Sequence, residues 1–209
     1  MTTNHTGALM IGICGASGSG KSTLARALHE RLADNCLMIT QDCYYHDRSA
    51  LPLEVRQKIN YDEPAAFDHD LLLFDIKQLR AGESITRKNY DYAMHCRADS
   101  DERIGPAKVI IFEGIHAFFD PRLMDLMDFK IYIHVDPDIC LLRRVKRDIK
   151  KRGREIEGIA EQYLTTVKPM FDQHIQGYRN LADIVAVGGG KNPRIVDLLS
   201  LYIEAKCPK

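Results

Sequence analysis

The sequence predicts an α/β fold in which a parallel sheet of about five strands is flanked by helices. Three observations carry that prediction. Five short apolar, β-branched runs recur at residues 9–14, 37–40, 109–112, 131–135 and 184–187. Each is too short for a helix and apolar enough to be buried on both faces, as strands of a parallel sheet are. Helical patterns alternate with them at 22–33, 68–80, 121–127, 138–151, 155–171 and 193–205, and such alternation implies a sheet covered by helices. Finally, a glycine-rich turn joins the first strand to the first helix, the place where an α/β sheet holds an anion.

In chain order, the strand at 9–14 runs into that turn, the helix at 22–33 returns the chain, and the strand at 37–40 follows. The helix at 68–80 leads to a polar stretch, 84–103, that carries Tyr90, Tyr92 and His95 and fits a small hairpin or loop excursion better than a sheet strand. The strand at 109–112 ends in a carboxylate, Glu113. After the strand at 131–135, the helix at 138–151 opens a run from Arg143 to Arg154 with eight basic residues (Arg143, Arg144, Lys146, Arg147, Lys150, Lys151, Arg152, Arg154) and one acid, Asp148. There is no internal repeat and no low-complexity segment, so the economical reading is one domain over 1–209 with two appendages, 84–103 and 143–154.

Composition bounds the function classes. A chain of 209 residues with 45% hydrophobic residues can bury roughly 70% of its unfolded surface in a core. The longest apolar runs, 8–14 and 109–112, fall far short of the roughly 20 residues that cross a bilayer. The short polar 1–7 stretch has no signal-peptide pattern after it, so the expected location is cytoplasmic, with no membrane partner. Twenty-nine Lys and Arg balance 29 Asp and Glu, which weakens any case for a nucleic-acid partner. The six cysteines form no C-x-x-C pair and read as reduced thiols, mostly in the core. Cys43 with His46, and His95 with Cys96, are short pairs without the second pair that structural zinc needs. Nothing in the sequence decides the role of His116.

The turn fixes the reaction class. Gly15, Ala16, Ser17, Gly18, Ser19, Gly20, Lys21, Ser22 and Thr23 satisfy G-x-x-x-x-G-K-[ST]. The glycines let backbone N–H groups surround phosphate oxygens, Lys21 neutralises the β and γ phosphates, and the Ser22 hydroxyl is placed for Mg²⁺. A plain connector has no use for a lysine at a helix start, where the dipole disfavours a cation unless an anion faces it. The fold is therefore of the P-loop nucleoside-triphosphate-hydrolase type. Glu113 at the end of its strand is the metal-side acid. Asp42, after the strand at 37–40, faces the crevice beyond the carboxyl ends of the strands; it is either a base that aligns and accepts a proton from a substrate hydroxyl or a helix N-cap. The basic run, not interleaved with acids for i,i+4 pairing, reads as a lid for a transferring phosphoryl group or as a solvated helix face.

At this point the chain resembles the uridine kinase (uridine/cytidine kinase) family of P-loop kinases, nearly end to end, from Ile11 to about Asp197. The resemblance is carried by the cradle, Gln41-Asp42-Cys43-Tyr44-Tyr45, Asn60-Tyr61-Asp62-Glu63-Pro64, Tyr90 with His95 and Arg97, Phe112-Glu113-Gly114-Ile115, Arg143-Arg144 with Arg147-Asp148, Arg152-Gly153-Arg154, Gln162-Tyr163 and Val167-Lys168-Pro169. It implies transfer of the γ-phosphate of ATP, or of GTP, to the 5′-hydroxyl of uridine or cytidine in pyrimidine salvage. It further implies Asp42 as base, Asp62 on the ribose hydroxyls, Tyr45 beside the nucleoside, and Tyr90 with His95 as readers of the pyrimidine, with Arg154 near the base. Arg144 and Gln162 match substrate contacts, Arg147 and Arg152 match lid arginines on the phosphates, and Ser22 and Glu113 match the Mg²⁺ side. A homotetramer inhibited by CTP is also implied.

The sequence departs from the family in two places. Lys88 and Asn89 precede Tyr90 where many relatives have a proline, and His116 stands where relatives usually have an aliphatic residue. Two alternatives stand beside the family reading. One is a P-loop kinase of another small alcohol, phosphoribulokinase-like or pantothenate kinase-like. The other is a non-catalytic nucleotide switch, against which the chain has no N-K-x-D motif and keeps Lys21, Ser22, Asp42 and Glu113.

Overall fold

The computed structural model describes residues 7–207; most of the polar 1–7 stretch lies outside the described residues. The strands are β1 (Leu9–Gly15), β2 (Cys36–Thr40), four two-residue strands β3 (Ile85–Thr86), β4 (Tyr90–Asp91), β5 (Cys96–Arg97) and β6 (Arg103–Ile104), then β7 (Val109–Gly114), β8 (Phe129–His134) and β9 (Ile184–Val187). The helices are α1 (Lys21–Leu32), α2 (Leu53–Arg56), α3 (His69–Arg80), α4 (Pro121–Met124), α5 (Pro137–Arg152), α6 (Ile156–Gln162), α7 (Lys168–Met170) and α8 (Pro193–Lys206).

Five strands form one sheet in the order β2-β7-β1-β8-β9, every pairing parallel. Each of the five apolar runs is one of these strands. β1 passes its chain over β7 to β2, while β8 pairs on the other side of β1, so the sheet reverses its winding beside β1. A crevice opens at such a switch point beyond the carboxyl ends of the strands. The register sets what stands there, with Cys14 opposite Gly114 and Thr40 opposite Glu113.

Strand side chains alternate between faces, and the core divides accordingly. Leu9, Ile11 and Ile13 of β1 pack with Leu24, Ala25 and Leu28 of α1 and with Leu199 and Ile203 of α8. Met10 and Cys14 face the opposite side, with Phe112, Phe118 and the α3 residues Leu72, Ile76 and Leu79. Asp68 caps α3 by accepting from the Leu71 N–H at 3.0 Å, which satisfies one of the donors a helix start leaves over.

Three expectations need correcting. The pattern at 121–127 makes only the single turn α4 after Pro121. The pattern at 155–171 continues through α6 and α7 to Ile175, with π-helical turns at Tyr163–Val167 and Phe171–Ile175; Pro169 has no N–H and its ring crowds the carbonyl four residues back, which a widened turn relieves. Of the six cysteines, Cys14, Cys36 and Cys140 are buried, but Cys43, Cys96 and Cys207 are partly exposed. The 84–103 excursion is two short antiparallel pairs, β3 with β6 and β4 with β5. No helix among the described residues is long and apolar enough to cross a membrane.

Leu28 is fully buried on the sheet face that α1 covers. Leu28→Ala is expected to lower the unfolding free energy in urea by about 2–5 kcal/mol, with the slope of the transition unchanged.

Candidate active site

β1 ends at Gly15 and α1 starts at Lys21, so the cradle lies at the switch point. Gly18 and Gly20 have φ of 87° and 104°, a region where glycine carries no Cβ penalty. A Cβ on Gly18 would lie 2.3 Å from the Cys140 carbonyl oxygen, and one on Gly20 2.6 Å from the Gly190 nitrogen. Lys21 is buried, its Nζ donating to the Ala16 carbonyl at 2.9 Å. Burial pulls its pKa down, against the opposing pull of Glu113 and Asp42. A buried cation folded onto its own loop is suited to an arriving polyanion.

Ser22 Oγ donates to Glu113 Oε1 at 2.9 Å. Burial raises the Glu113 carboxyl, opposed by Lys21 and by hydrogen bonds from Ser22 and Thr40. This hydroxyl and carboxylate are hard oxygen donors. Among the described residues no group of three or more His, Cys, Asp and Glu is gathered to cage a metal. The pair fits Mg²⁺, which takes few protein oxygens and completes its shell with phosphate oxygens and water.

The cradle opens into a cleft of about 640 Å³ lined by Ser17, Gly18, Gly20, Lys21, Ser22 and Thr23, by Arg143, Arg147, Lys151 and Arg152, and by Gly188, Gly190 and Lys191. Sequence reasoning missed this last loop. Its signal was available, a Gly188-Gly189-Gly190-Lys191 run directly after β9. A Cβ on Gly190 would lie 2.1 Å from the Gly20 carbonyl oxygen, so this loop leans on the cradle itself.

A smaller cavity of about 60 Å³ adjoins it, lined among others by Tyr45, Tyr61, Asp62, Tyr90, His95, Arg144, Arg154 and Gln162. Tyr45 stacks on Phe67 at 4.4 Å between ring centroids and meets Tyr61 edge-on at 5.2 Å. His95 lies in the turn between β4 and β5 with φ of 49°, a strained setting for a side chain other than glycine. Its ring reaches Tyr61 at 5.1 Å. Burial, then the charges of Arg154 and Arg152, lower its pKa, which favours a neutral imidazole able both to donate and to accept. The Tyr61 and Tyr90 hydroxyls are buried facing each other, and neither has a further partner in good hydrogen-bond geometry. An unpartnered buried hydroxyl is costly, so both are suited to a ligand with a polar edge. Burial raises the Asp62 carboxyl, with Arg144 and the Thr166 hydroxyl acting against it.

Asp42 sits in the wall between the two cavities, as do Ser17, Tyr92, Arg147 and Arg152. It is not an N-cap. The turn Gln41–Tyr44 has no side-chain cap, and Asp42 Oδ2 accepts from the Tyr92 hydroxyl at 2.9 Å. The Arg152 guanidinium lies 4.2 Å above the centre of the Tyr92 ring. Tyr92 was placed on the excursion by sequence but given no part in the site; only the fold brings it to Asp42.

The basic run as far as Arg152 forms the C-terminal part of α5, which Gly153 ends in the left-handed conformation, and Arg154 follows beyond the helix. The expectation that these charges lack an acid for i,i+4 pairing needs correcting, since Asp148 pairs with both Arg144 and Arg152 at that spacing. Asp148 is fully buried and lies 2.8 Å from Arg147, 3.6 Å from Arg152 and 3.7 Å from Arg144 and Arg154. Burial alone would raise its carboxyl, but the Arg147 hydrogen bond and the surrounding guanidiniums outweigh burial and hold it below the ordinary value of 3.8. Arginines thus turn inward around one carboxylate, while Arg143, Lys146, Lys150 and Lys151 are exposed. Arg144, expected to touch substrate, lines the smaller cavity and is itself buried and held by protein groups. Its Nη1 donates to Ser17 Oγ and its Nη2 to Gln162 Oε1, each at 2.9 Å, and it stands 3.8 Å from Asp62. Gln162 Oε1 also accepts from Arg154 at 2.9 Å.

Comparison with known proteins gives the family and the fold. The model of the phosphoribulokinase / uridine kinase family matches residues 10–192. Proteins named uridine kinase from Ligilactobacillus salivarius (strain UCC118) and Vibrio vulnificus (strain YJ016) are 45% and 46% identical to the chain. The first match covers 91% of the chain and 90% of the relative, the second 93% and 94%. Among solved structures, a candidate fructose transport system kinase from Silicibacter sp. TM1040 superposes with a TM-score of 0.72 at 23% identity, covering 88% of this chain and 92% of that one. A shikimate kinase from Acinetobacter baumannii superposes with a TM-score of 0.53 at 12% identity, covering 98% and 97%. These last two establish the fold as that of P-loop kinases.

Asp148→Asn leaves four guanidiniums without their shared anion and is expected to cost about 1–3 kcal/mol of stability at neutral pH, partly restored by added salt. Because the folded-state pKa is depressed, the advantage of the native residue is complete above the ordinary value of 3.8 and fades as pH falls below it. Urea titrations of both proteins between pH 7 and pH 2 check this: the two stabilities should converge in acid.

Proposed function

The chain belongs to the phosphoribulokinase / uridine kinase family, and from that premise we propose that it is an ATP-dependent uridine/cytidine kinase. One observation carries the reading: Asp42 lines both cavities, the cationic cleft behind the cradle and the aromatic pocket beside it. A carboxylate in a shared wall meets an alcohol from one side and a phosphoryl group from the other.

In this reading the triphosphate lies in the cradle, with Lys21, Arg147 and Arg152 on its β and γ phosphates. The donor is ATP or GTP. Tyr45, Tyr90 and His95 enclose the pyrimidine with Arg154 near its edge, and Asp62 grips the ribose hydroxyls. Arg144 and Gln162 hold that side in place. The O5′ atom bonds to the γ-phosphorus as the bond from that phosphorus to the β-bridging oxygen breaks, releasing the nucleoside diphosphate. The hydroxyl proton passes to Asp42. A carboxylate is a weak base beside an alcohol, so proton transfer is late and the main contribution of Asp42 is alignment. Tyr92 occupies only Oδ2, which leaves Oδ1 for the substrate. Mg²⁺ held by Ser22 and Glu113 would neutralise charge on the phosphates.

The geometry also supports a bound on specificity. A pocket with buried tyrosine hydroxyls and a neutral imidazole rejects bases that leave those groups unpaired. Asp42→Asn is expected to keep ATP affinity within about twofold and to lower turnover of uridine by about 10²–10⁴-fold. Nucleotide binding and steady-state rates with uridine, cytidine and adenosine check both points. Near-normal turnover in the variant removes Asp42 as base, and an adenosine rate matching uridine removes the pyrimidine assignment.

A further inference from the structure

His116 lies two residues beyond β7, fully buried and outside the residues that line either cavity. It has three partners. Its Nε2 is 2.6 Å from the Asp62 carbonyl oxygen, its Nδ1 is 3.0 Å from the Tyr178 hydroxyl, and its backbone N–H donates to Gln41 Oε1 at 2.9 Å. A carbonyl only accepts, so Nε2 carries the proton, and Nδ1 must accept from the tyrosine. One tautomer of a neutral imidazole satisfies both contacts. Burial, more than any neighbour, holds the ring's pKa down to about 4, so that tautomer persists across the neutral range. Phe67, Phe119 and Tyr178 meet the ring edge-on at 5.9 to 6.1 Å, which leaves it little freedom to rotate.

What this imidazole holds is the peptide of Asp62. That residue lies between α2 and α3, outside any strand or α-helix, so no regular hydrogen-bond ladder fixes it. Its N–H donates to Asn60 Oδ1 at 3.0 Å, its carbonyl accepts from His116, and its carboxylate meets Thr166 at 3.3 Å and Arg144 at 3.8 Å. Asn60 belongs to the same loop, so within this set His116 is the tie from the Asp62 backbone to the sheet. We propose that His116 is a positioning residue for nucleoside binding, setting the depth at which Asp62 presents its carboxylate to the ribose hydroxyls. This rests on the reading of Asp62 given above.

The two links of His116 can be separated. Its backbone N–H, which holds the neighbour of Asp42, survives any non-proline substitution, whereas the link to Asp62 belongs to the imidazole alone. His116→Leu therefore removes one and keeps the other, and His116→Gln offers an amide N–H to the same carbonyl. For His116→Leu the expected result is a rise of about tenfold in KM for uridine with KM for ATP within about twofold. Amide exchange over 60–67 in the ligand-free protein should be faster by about tenfold. His116→Gln should recover most of both. Unchanged exchange, an equal rise in the two KM values, or a glutamine variant as impaired as the leucine one overturns the proposal. If the leucine variant does not fold, Tyr178→Phe replaces it; an expected rise of about threefold in uridine KM alone supports the proposal and an equal rise in both KM values overturns it. The exchange readout needs no substrate. Faster exchange in the leucine variant, together with a native protein that does not turn over uridine, would locate the failure in the nucleoside reading rather than in the His116 anchor.

Discussion

The Arg144 guanidinium reaches from α5 to three separate parts of the chain, and the geometry of the site follows from that reach. It donates to Ser17 in the cradle and to Gln162 at the end of α6, and faces Asp62 and Asp148 at 3.8 and 3.7 Å. Five N–H donors in a rigid plane suit such bridging; a lysine presents one point charge. Burying an arginine between two carboxylates is not by itself stabilising, because desolvation offsets much of the attraction. Its effect is positional. The phosphate cradle, the acid proposed for the ribose and the basic helix hold one another in register.

The same economy shapes the rest of the cleft. Seven net positive charges within Arg143 to Arg154 would repel one another, yet Asp148 gathers Arg144, Arg147, Arg152 and Arg154 around it, while Arg143, Arg147, Lys151 and Arg152 still line the cleft that faces the cradle. Arg152 serves both sides, as a neighbour of Asp148 and as the cation above Tyr92. Through Tyr92 the basic helix reaches Asp42. The wall between the cavities is thus a chain of contacts, from carboxylate to guanidinium to ring to carboxylate, and the proposed transfer takes place across it.

Much of this was legible in the sequence, and the limit has a physical cause. Strands, cradle, Glu113 and Asp42 are written in local patterns, an apolar run followed by a residue that the sheet delivers to its carboxyl edge. Asp148 and Arg144 lie on one helix, and their spacing of four was visible, but the charge count hid that one acid serves four arginines, because Arg154 reaches it only after Gly153 ends the helix. Tyr92 carries no local sign of a role, since nothing in the sequence ties residue 92 to residue 42. The role of His116 is likewise not written locally. Its partners come from residues 41, 62 and 178, three segments that only the fold brings together. The π-helical turns around Pro169 follow from a proline that helical periodicity alone passes over.

If one guanidinium holds both halves of the site, its loss should be felt by both substrates at once. The direct measurement is the steady-state KM for ATP and for uridine in Arg144→Lys, each at saturating concentration of the other. Lysine keeps the charge and loses the fork, so the account predicts a rise of about tenfold in both values. A rise confined to one substrate, or none, would contradict it.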